Sequence, residues 1–306
     1  MPAQEITLRQ NIMEYQTQPD NRAVRSSCTH YPSISVVTCS FQQGGYLEQT
    51  IRSVIGQDYP KLEYIVIDGG STDGSVDVIR RHQSALAYWV SEPDRGQTDA
   101  LIKGFERSTG DICGWLCSDD LLLPGALQAV GDFFSSHPGV MAAYGDALWI
   151  DAGSRFLRPK KEMGFSRFVF LHDHNYVPQP SMFWRRELYQ AVSGLNPEFD
   201  LAMDADLWER FSERTAIAHI PRYLSCMRFY PEQKTRSRVP DRKREDGIIR
   251  RRDRLPAAHI VNDVLLKLVA RCVRIAAKTF TGGYTAHIPR EHLAWLEQHA
   301  SEGAGK

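Results

Sequence analysis

The chain has 306 residues, 42% of them hydrophobic and 24% charged, with 37 lysines and arginines balanced by 37 aspartates and glutamates. That composition excludes a disordered chain, and a formal charge of zero gives no global attraction to nucleic acid, so basic residues matter only where they cluster. No run approaches the ~20 apolar residues that span a bilayer, and the polar N-terminus lacks a signal-peptide core, which makes the cytoplasm the expected compartment.

Residues 1–31 show no sustained apolar period and read as an irregular leader. From Ile34 onward, strand and helix patterns alternate. A strand over 34–40 precedes a helix over 46–57 whose Leu47, Ile51, Val54 and Ile55 share one face. A strand over 62–67 leads into a helix over 74–82, and a short strand over 86–90 into a helix over 97–107. Segment 112–117 is apolar on both faces, as suits a central parallel strand covered by helices. Pro124 and Gly125 then open a helix to Phe134, and a strand follows over 141–150. This alternation predicts an α/β fold with a doubly wound, mainly parallel sheet. The pattern loosens over 151–180, after which strands at 181–184 and 216–229 flank a helix over 204–214. Beyond Tyr230 the chain turns charged, with seven Lys/Arg against four Asp/Glu in 240–254. These shifts divide it into a leader (1–31), a main domain (32–236) and a basic, helical C-terminal extension (237–306).

Polar groups collect where strands end, which is where open α/β sheets bind ligands. The first strand runs into Thr38-Cys-Ser-Phe-Gln-Gln-Gly-Gly45 and the second into Asp68-Gly-Gly-Ser-Thr-Asp73-Gly-Ser75. Asp73 is placed to cap the next helix. Asp68 comes too early for that, leaving ligand contact or loop hydrogen bonding. The strand over 112–117 delivers Asp119 and Asp120, two adjacent carboxylates that repel each other unless a cation or a polyol ligand lies between them, although one of them could simply cap the following helix. Neither Gly-x-x-x-x-Gly-Lys-Ser/Thr nor Gly-x-Gly-x-x-Gly is present. A nucleotide diphosphate here needs another counter-charge, and Mg²⁺ or Mn²⁺ on Asp120 would supply it through hard oxygen ligands.

In Met203-Asp204-Ala-Asp206-Leu-Trp208-Glu-Arg210-Phe211, positions 204, 207, 208 and 211 fall on one helical stripe. Leu207, Trp208 and Phe211 make that stripe the buried one, so Asp204 is expected to point inward, either as a base or as a buried cap. Asp206, Arg210 and Glu213 fall on a second face read as polar, with Asp206 and Arg210 spaced for an ion pair. The six cysteines (Cys28, Cys39, Cys113, Cys117, Cys226, Cys272) form no Cys-x-x-Cys pair. Cys113 and Cys117 are expected on one face of their strand, as structural thiols rather than disulfides or zinc ligands.

Taken together, Ile34-Ser-Val-Val-Thr-Cys-Ser-Phe41, Val66-Ile-Asp-Gly-Gly-Ser-Thr-Asp-Gly-Ser75, Ser91-Glu-Pro-Asp-Arg-Gly96, Ser118-Asp-Asp120, Pro180-Ser-Met-Phe-Trp-Arg-Arg-Glu-Leu188 and Met203-Asp-Ala-Asp-Leu-Trp208 resemble the family 2 glycosyltransferases, inverting enzymes with the GT-A fold. The resemblance spans roughly 32–235. It implies transfer of a sugar from a nucleotide-diphosphate donor to a hydroxyl of a saccharide or lipid-linked acceptor, in polysaccharide or glycolipid assembly. Phe41 would lie against the base, Asp68 would contact the nucleoside, Asp119 would hold ribose or sugar, Asp120 would ligate a divalent cation, and Asp204 would take the acceptor proton. Lys234 and Arg236 would be available to phosphate. Three positions depart from the family: Gly69 where a second aspartate is frequent, Ser118 where some members have Asp, and Tyr230 where many have His. The Gln-x-x-Arg-Trp signature of the processive polymerases is absent, which implies transfer of a single sugar.

Segment 259–280 reads as one amphipathic helix with Lys267, Arg271, Arg274 and Lys278 along a stripe. Packing of its apolar side on the main domain or on a second subunit leaves that stripe solvated. The alternative is a peripheral contact with the inner face of an anionic membrane. No aromatic residues interleave with the basic ones, which disfavours nucleic acid. Two other functions stay open from sequence: a catalytically silent nucleotide-sugar-binding protein, and a sugar-1-phosphate nucleotidyltransferase. The second would need a basic glycine-rich loop after the first strand, where this chain has Gln42-Gln-Gly-Gly45.

Overall fold

A computed structural model describes residues 31–252, 260–285 and 287–303. Apart from Tyr31, the expected leader lies outside the described residues, as does Cys28. The first half is a parallel block in which β1 (Ile34–Ser40), β2 (Leu62–Asp68), β3 (Tyr88–Ser91) and β4 (Ile112–Trp115) alternate with α1 (Gly44–Ile55), α2 (Ser75–His82) and α3 (Gln97–Arg107). The second half adds β5 (Leu121–Leu122), α4 (Ala126–Ser136), β6 (Ala142–Ile150), β7 (Phe156–Lys160), α5 (Arg167–His172), β8 (Met182–Arg185), α6 (Arg186–Ala191), α7 (Met203–Arg214) and β9 (Ile217–Arg228). The strand order is β3-β2-β1-β4-β8-β6-β9-β5, with β7 beside β6. Because β8, β5 and β7 run against their neighbours, the sheet is mixed and mostly parallel.

Strand periodicity divides the core between two faces. Ile34, Val36, Tyr64, Val66 and Ile112 pack under α1, α2 and α4. Val37, Ile65, Ile67, Cys113 and Trp115 pack under α3 and α7. Gly104 lets α3 lie directly on the sheet, since a Cβ there would sit 2.3 Å from Val37 Cγ1. The expected strand over 112–117 stops at Trp115. The Leu116 amide still bonds Val37 O at 2.9 Å, but the chain then turns, with the Asp120 amide on Cys117 O at 3.0 Å. Leu121 and Leu122 cross to pair with β9. Cys117 therefore lies past the strand, not on a face shared with Cys113. The described cysteines are free thiols.

After β9 come α8 (Lys234–Ser237), α9 (Val239–Arg251), α10 (Ile260–Phe280) and α11 (Arg290–Gly303). Ile249 of α9 enters the main core, and Leu296 of α11 packs on Leu121, Leu148 and Ile150. On α10 the expected polarity is reversed. Arg274 and Lys278 dock against the main domain, pairing with Asp173 (2.5 Å) and Glu162 (3.0 Å), while Leu265, Leu268 and Val269 face outward. Asp173 and Glu162 are buried carboxylates and need these cations more than the core needs the leucines. No helix among the described residues is long and apolar enough to cross a membrane.

Candidate active site

The turn after β4 is fixed from below by α1. The buried Thr50 hydroxyl donates to the carbonyls of Ser118 (2.8 Å) and Asp120 (2.9 Å). Asp120 is buried, and its Oδ1 accepts the Arg228 backbone N–H at 2.8 Å. Burial and the neighbouring Asp119 charge push its carboxyl well above the usual range, against the pull of Arg228. The Arg228 side chain, fully buried, donates to the carbonyls of Asp119, Asp151 and Ala152, to Ser154 Oγ and to Gln49 Oε1. It also lies 4.6 Å from the Tyr46 ring centroid. Arg228 is thus a fixed positive charge behind the aspartate pair, with each of its three side-chain nitrogens donating to oxygen.

Tyr230, the position that departs from the family pattern, donates its hydroxyl to Asp119 Oδ2 at 2.9 Å and packs on Tyr46. Burial and the Asp119 charge hold its phenol protonated, so it remains a donor. One ligand atom each from Cys117, Asp119 and Asp120 lies within 4.8 Å of the others. Two carboxylates with free oxygens around a common point fit a hard divalent cation. The Cys117 thiol does not, since sulfur is a soft ligand, and the hydrogen bond with Cys39 together with burial raises its pKa.

Asp204 sits in the first turn of α7, beside the buried Leu207, Trp208 and Phe211, as the stripe predicts. Its Oδ2 accepts from Asn175 Nδ2 at 2.9 Å. Burial raises its pKa to about 6, with Asp246 adding to the rise and the Ala205 amide and Asn175 opposing it. Asp204 does not touch the aspartate pair. The two are tied through one aromatic stack, Trp115 on Trp208 with ring centroids 5.3 Å apart. Trp115 lies two residues before Cys117, and Trp208 one turn after Asp204. Sequence reasoning missed Asn175, which falls in the irregular stretch 151–180, and missed how Arg228 is used.

Other residues singled out in the sequence have partners within the protein, and the face of Asp206 is buried rather than polar. Asp68 is fully buried, and its oxygens accept from Gly70 N, Ser71 N, Ser71 Oγ and Ser91 Oγ, so it anchors the loop after β2 rather than offering a free carboxylate. Lys234 is paired with Asp200 at 2.5 Å, and Arg236 stacks on Phe229 at 4.1 Å, so neither is an idle cation. Asp206 does form the expected pair with Arg210 (2.6 Å), but on a buried face where Arg252 reaches its other oxygen, also at 2.6 Å. Phe41 is 59% exposed. A Cβ on Gly69 would lie 3.2 Å from the Phe41 ring and 2.7 Å from Asp94 Oδ2, so Asp94 occupies the space a side chain at 69 would need. Asp73 lies one residue before the Gly74 N-cap of α2, and its carboxylate accepts from the Ser75 amide and hydroxyl and from the Gly44 amide.

Residues 35–191 match the family described as glycosyl transferase family 2. The chain belongs to that family. An uncharacterized glycosyltransferase of Mycobacterium tuberculosis is 31% identical over 201 residues, covering 65% of this chain and 74% of the relative. Among solved structures, S. aureus TarS 1–349 in complex with UDP-GlcNAc aligns with a TM-score of 0.60 at 14% identity, over 81% of this chain and 74% of that one. The mannosyltransferase PcManGT from Pyrobaculum calidifontis, in complex with GDP-Man and Mn²⁺, aligns with a TM-score of 0.56 at 17% identity, over 98% and 94%. At these identities the likeness establishes a GT-A-like fold. With family membership, it makes this chain a glycosyltransferase acting on a nucleotide sugar.

Proposed function

We propose that the protein transfers one sugar, with inversion, from a nucleotide-diphosphate sugar to a hydroxyl of a saccharide or lipid-linked saccharide, in polysaccharide or glycolipid assembly. The observation that carries this reading is the division of labour between carboxylates. Asp119 and Asp120 are held together against a buried Arg228, while Asp204 stands apart on neutral donors across the Trp115–Trp208 stack. Asp119 and Asp120 would hold Mg²⁺ or Mn²⁺, whose chemistry is to neutralise the leaving diphosphate. Asp204 accepts the proton of the acceptor hydroxyl as its oxygen attacks the anomeric carbon from the side opposite the diphosphate. Asn175 fixes the rotamer of Asp204 and leaves its second oxygen for that proton. Phe41 supplies a ring face for the base, and Asp68 shapes the loop beneath it. Lys234 contributes to phosphate binding by exchanging from Asp200. Segment 259–280 gives the protein a peripheral contact with the inner face of a membrane.

A thermal-shift screen of nucleotide sugars with and without Mn²⁺, followed by a donor-hydrolysis assay, tests the reading. Binding that depends on Mn²⁺, with turnover abolished by Asp120→Ala, is the expected result. Mn²⁺-dependent binding with no turnover in any condition would instead make the protein a silent binder.

A further inference from the structure

Asp204 is delivered by α7, and the chain entering that helix is held by residues from far along the sequence. Ala202 stands at the N-cap and offers no side-chain acceptor. The acceptor comes instead from α9. Glu245, only 5% exposed, turns its carboxylate onto the three residues that lead into α7. Its Oε2 accepts from the Leu201 and Ala202 amides at 2.8 Å each, and the Asp200 amide donates to both oxygens at 3.2 Å. The Asp200 side chain is in turn paired with Lys234 and Arg238, 2.5 Å from each. From another side, Thr98 of α3 donates its hydroxyl to Phe199 O at 2.6 Å. Residues 199–202 are therefore fixed from several directions, and they end two residues ahead of Asp204.

We propose that Glu245 is a positioning residue for Asp204, its carboxylate clamping the entrance to α7 and so fixing where the base stands. The inference rests on the reading of Asp204 as the base and adds what holds it there. Leu201 and Ala202 are buried, so their amides have no water to turn to if the carboxylate is withdrawn, and the chain must shift to satisfy them. Such a shift reaches Asp204 directly, because the Asp206 amide bonds Ala202 O at 2.9 Å and closes the first turn of the helix around residue 204. Glu245 can act as a clamp because α9 is anchored by other contacts. Ile249 enters the main core, Arg250 donates to Asp173 O at 2.9 Å, and the adjoining Arg252 pairs with Asp206 at 2.6 Å. Asp246, the next residue on α9, acts on Asp204 through its charge, whereas Glu245 acts through bonds to the chain.

The test is a double-mutant cycle read in the full chain. Asp204→Asn should raise the wild-type Tm at pH 7, because burial raises the Asp204 pKa to about 6. In a Glu245→Ala background the first turn of α7 loosens and more water reaches Asp204, so that gain should fall by roughly half or more. Glu245→Gln loses the charge but keeps an oxygen for Leu201 and Ala202, so there the gain should be retained. Equal gains in all three backgrounds would overturn the proposal. Equal losses in Glu245→Ala and Glu245→Gln would assign the effect to charge and overturn it as well. Hydrolysis of UDP-GlcNAc and of GDP-Man with Mn²⁺ gives a second readout. Glu245→Ala should lower kcat roughly tenfold with the donor KM unchanged, and should lower nothing further once Asp204 is Asn. Equal losses in both backgrounds would mean a role unrelated to the base and count against the clamp. Where neither donor is hydrolysed, the Tm cycle decides alone. An Asp204→Asn variant that hydrolyses donor normally, with the Tm cycle as expected, would sink the base reading and leave the clamp standing. Should Glu245→Ala not fold, Glu245→Asp, one methylene short of the amides, takes its place in the cycle.

Discussion

Asp120 is buried and Asp204 half-buried, and both have raised pKa values, but for different reasons. At Asp120 the rise comes from burial together with an adjacent like charge, and a guanidinium stands behind the pair. A divalent cation would relieve that repulsion and keep the pair charged, as the proposed metal-holding role requires. At Asp204 burial dominates, and its hydrogen-bond partner is the neutral amide of Asn175. A proton relieves that cost, which places this group where a base is useful near neutral pH. The difference between a cation-seeking and a proton-seeking carboxylate lies in what surrounds it, not in residue type.

The largest expected effects break each half separately. Asp120→Ala should remove transfer and the Mn²⁺-dependent thermal shift together. Asp204→Asn should reduce transfer by about 10²–10⁴-fold while leaving Mn²⁺-dependent donor binding intact, because Asn still accepts from Asn175. If both variants lose donor binding equally, the two-task division is wrong.

The pH profile sharpens the same contrast. Asp204 must be ionised to act, so kcat/KM should rise with pH and reach half its plateau at about 6. Its folded pKa lies above the unfolded value of ~3.9, so folding retains a proton through that window. Stability falls as pH rises from about 4 to about 6, and the deficit persists above. Asp204→Asn should therefore raise Tm at pH 7 and leave it unchanged at pH 4. No Tm gain at pH 7 would show that burial does not strain this carboxylate.

Arg228→Met tests the donor half by stability rather than rate. It leaves several carbonyls without their donor and the aspartate pair without its counter-charge, a loss of about 3–5 kcal/mol read by urea unfolding. Asn175→Ala should act only on the acceptor half, reducing kcat by roughly tenfold and shifting the pH midpoint upward as the ionised form of Asp204 loses a donor.

The sheet was legible because buried strands and amphipathic helices are periodic, and the carboxylates because strand ends and helix stripes are local features. Asp204 could be oriented from three neighbours on one helix. Asn175 could not, because its contact spans 29 residues and arises in a stretch without period. Asp68 was ambiguous in sequence for the same reason, since Ser91, a partner that fills its oxygens, comes from another strand. The polarity of α10 was misread because a helical wheel shows two faces but not which one meets buried Asp173 and Glu162.

The smallest effect concerns Tyr230, where chain and family differ. Its phenol donates to Asp119 Oδ2, and its ring rests on Tyr46. Tyr230→Phe keeps the ring and deletes one hydrogen bond, so unfolding should become easier by about 1 kcal/mol. Asp119 also loses a hydrogen-bond donor, while Asp120 keeps the Arg228 amide. Transfer should therefore fall by less than roughly tenfold, far less than for Asp120→Ala. Tyr230→His, which reinstates the family's usual residue, should recover part of the loss if position 230 serves Asp119 as a donor. A Tyr230→Phe variant as inactive as Asp120→Ala would mean that the hydroxyl itself meets the ligand, and the donor half would then have to be redrawn around it.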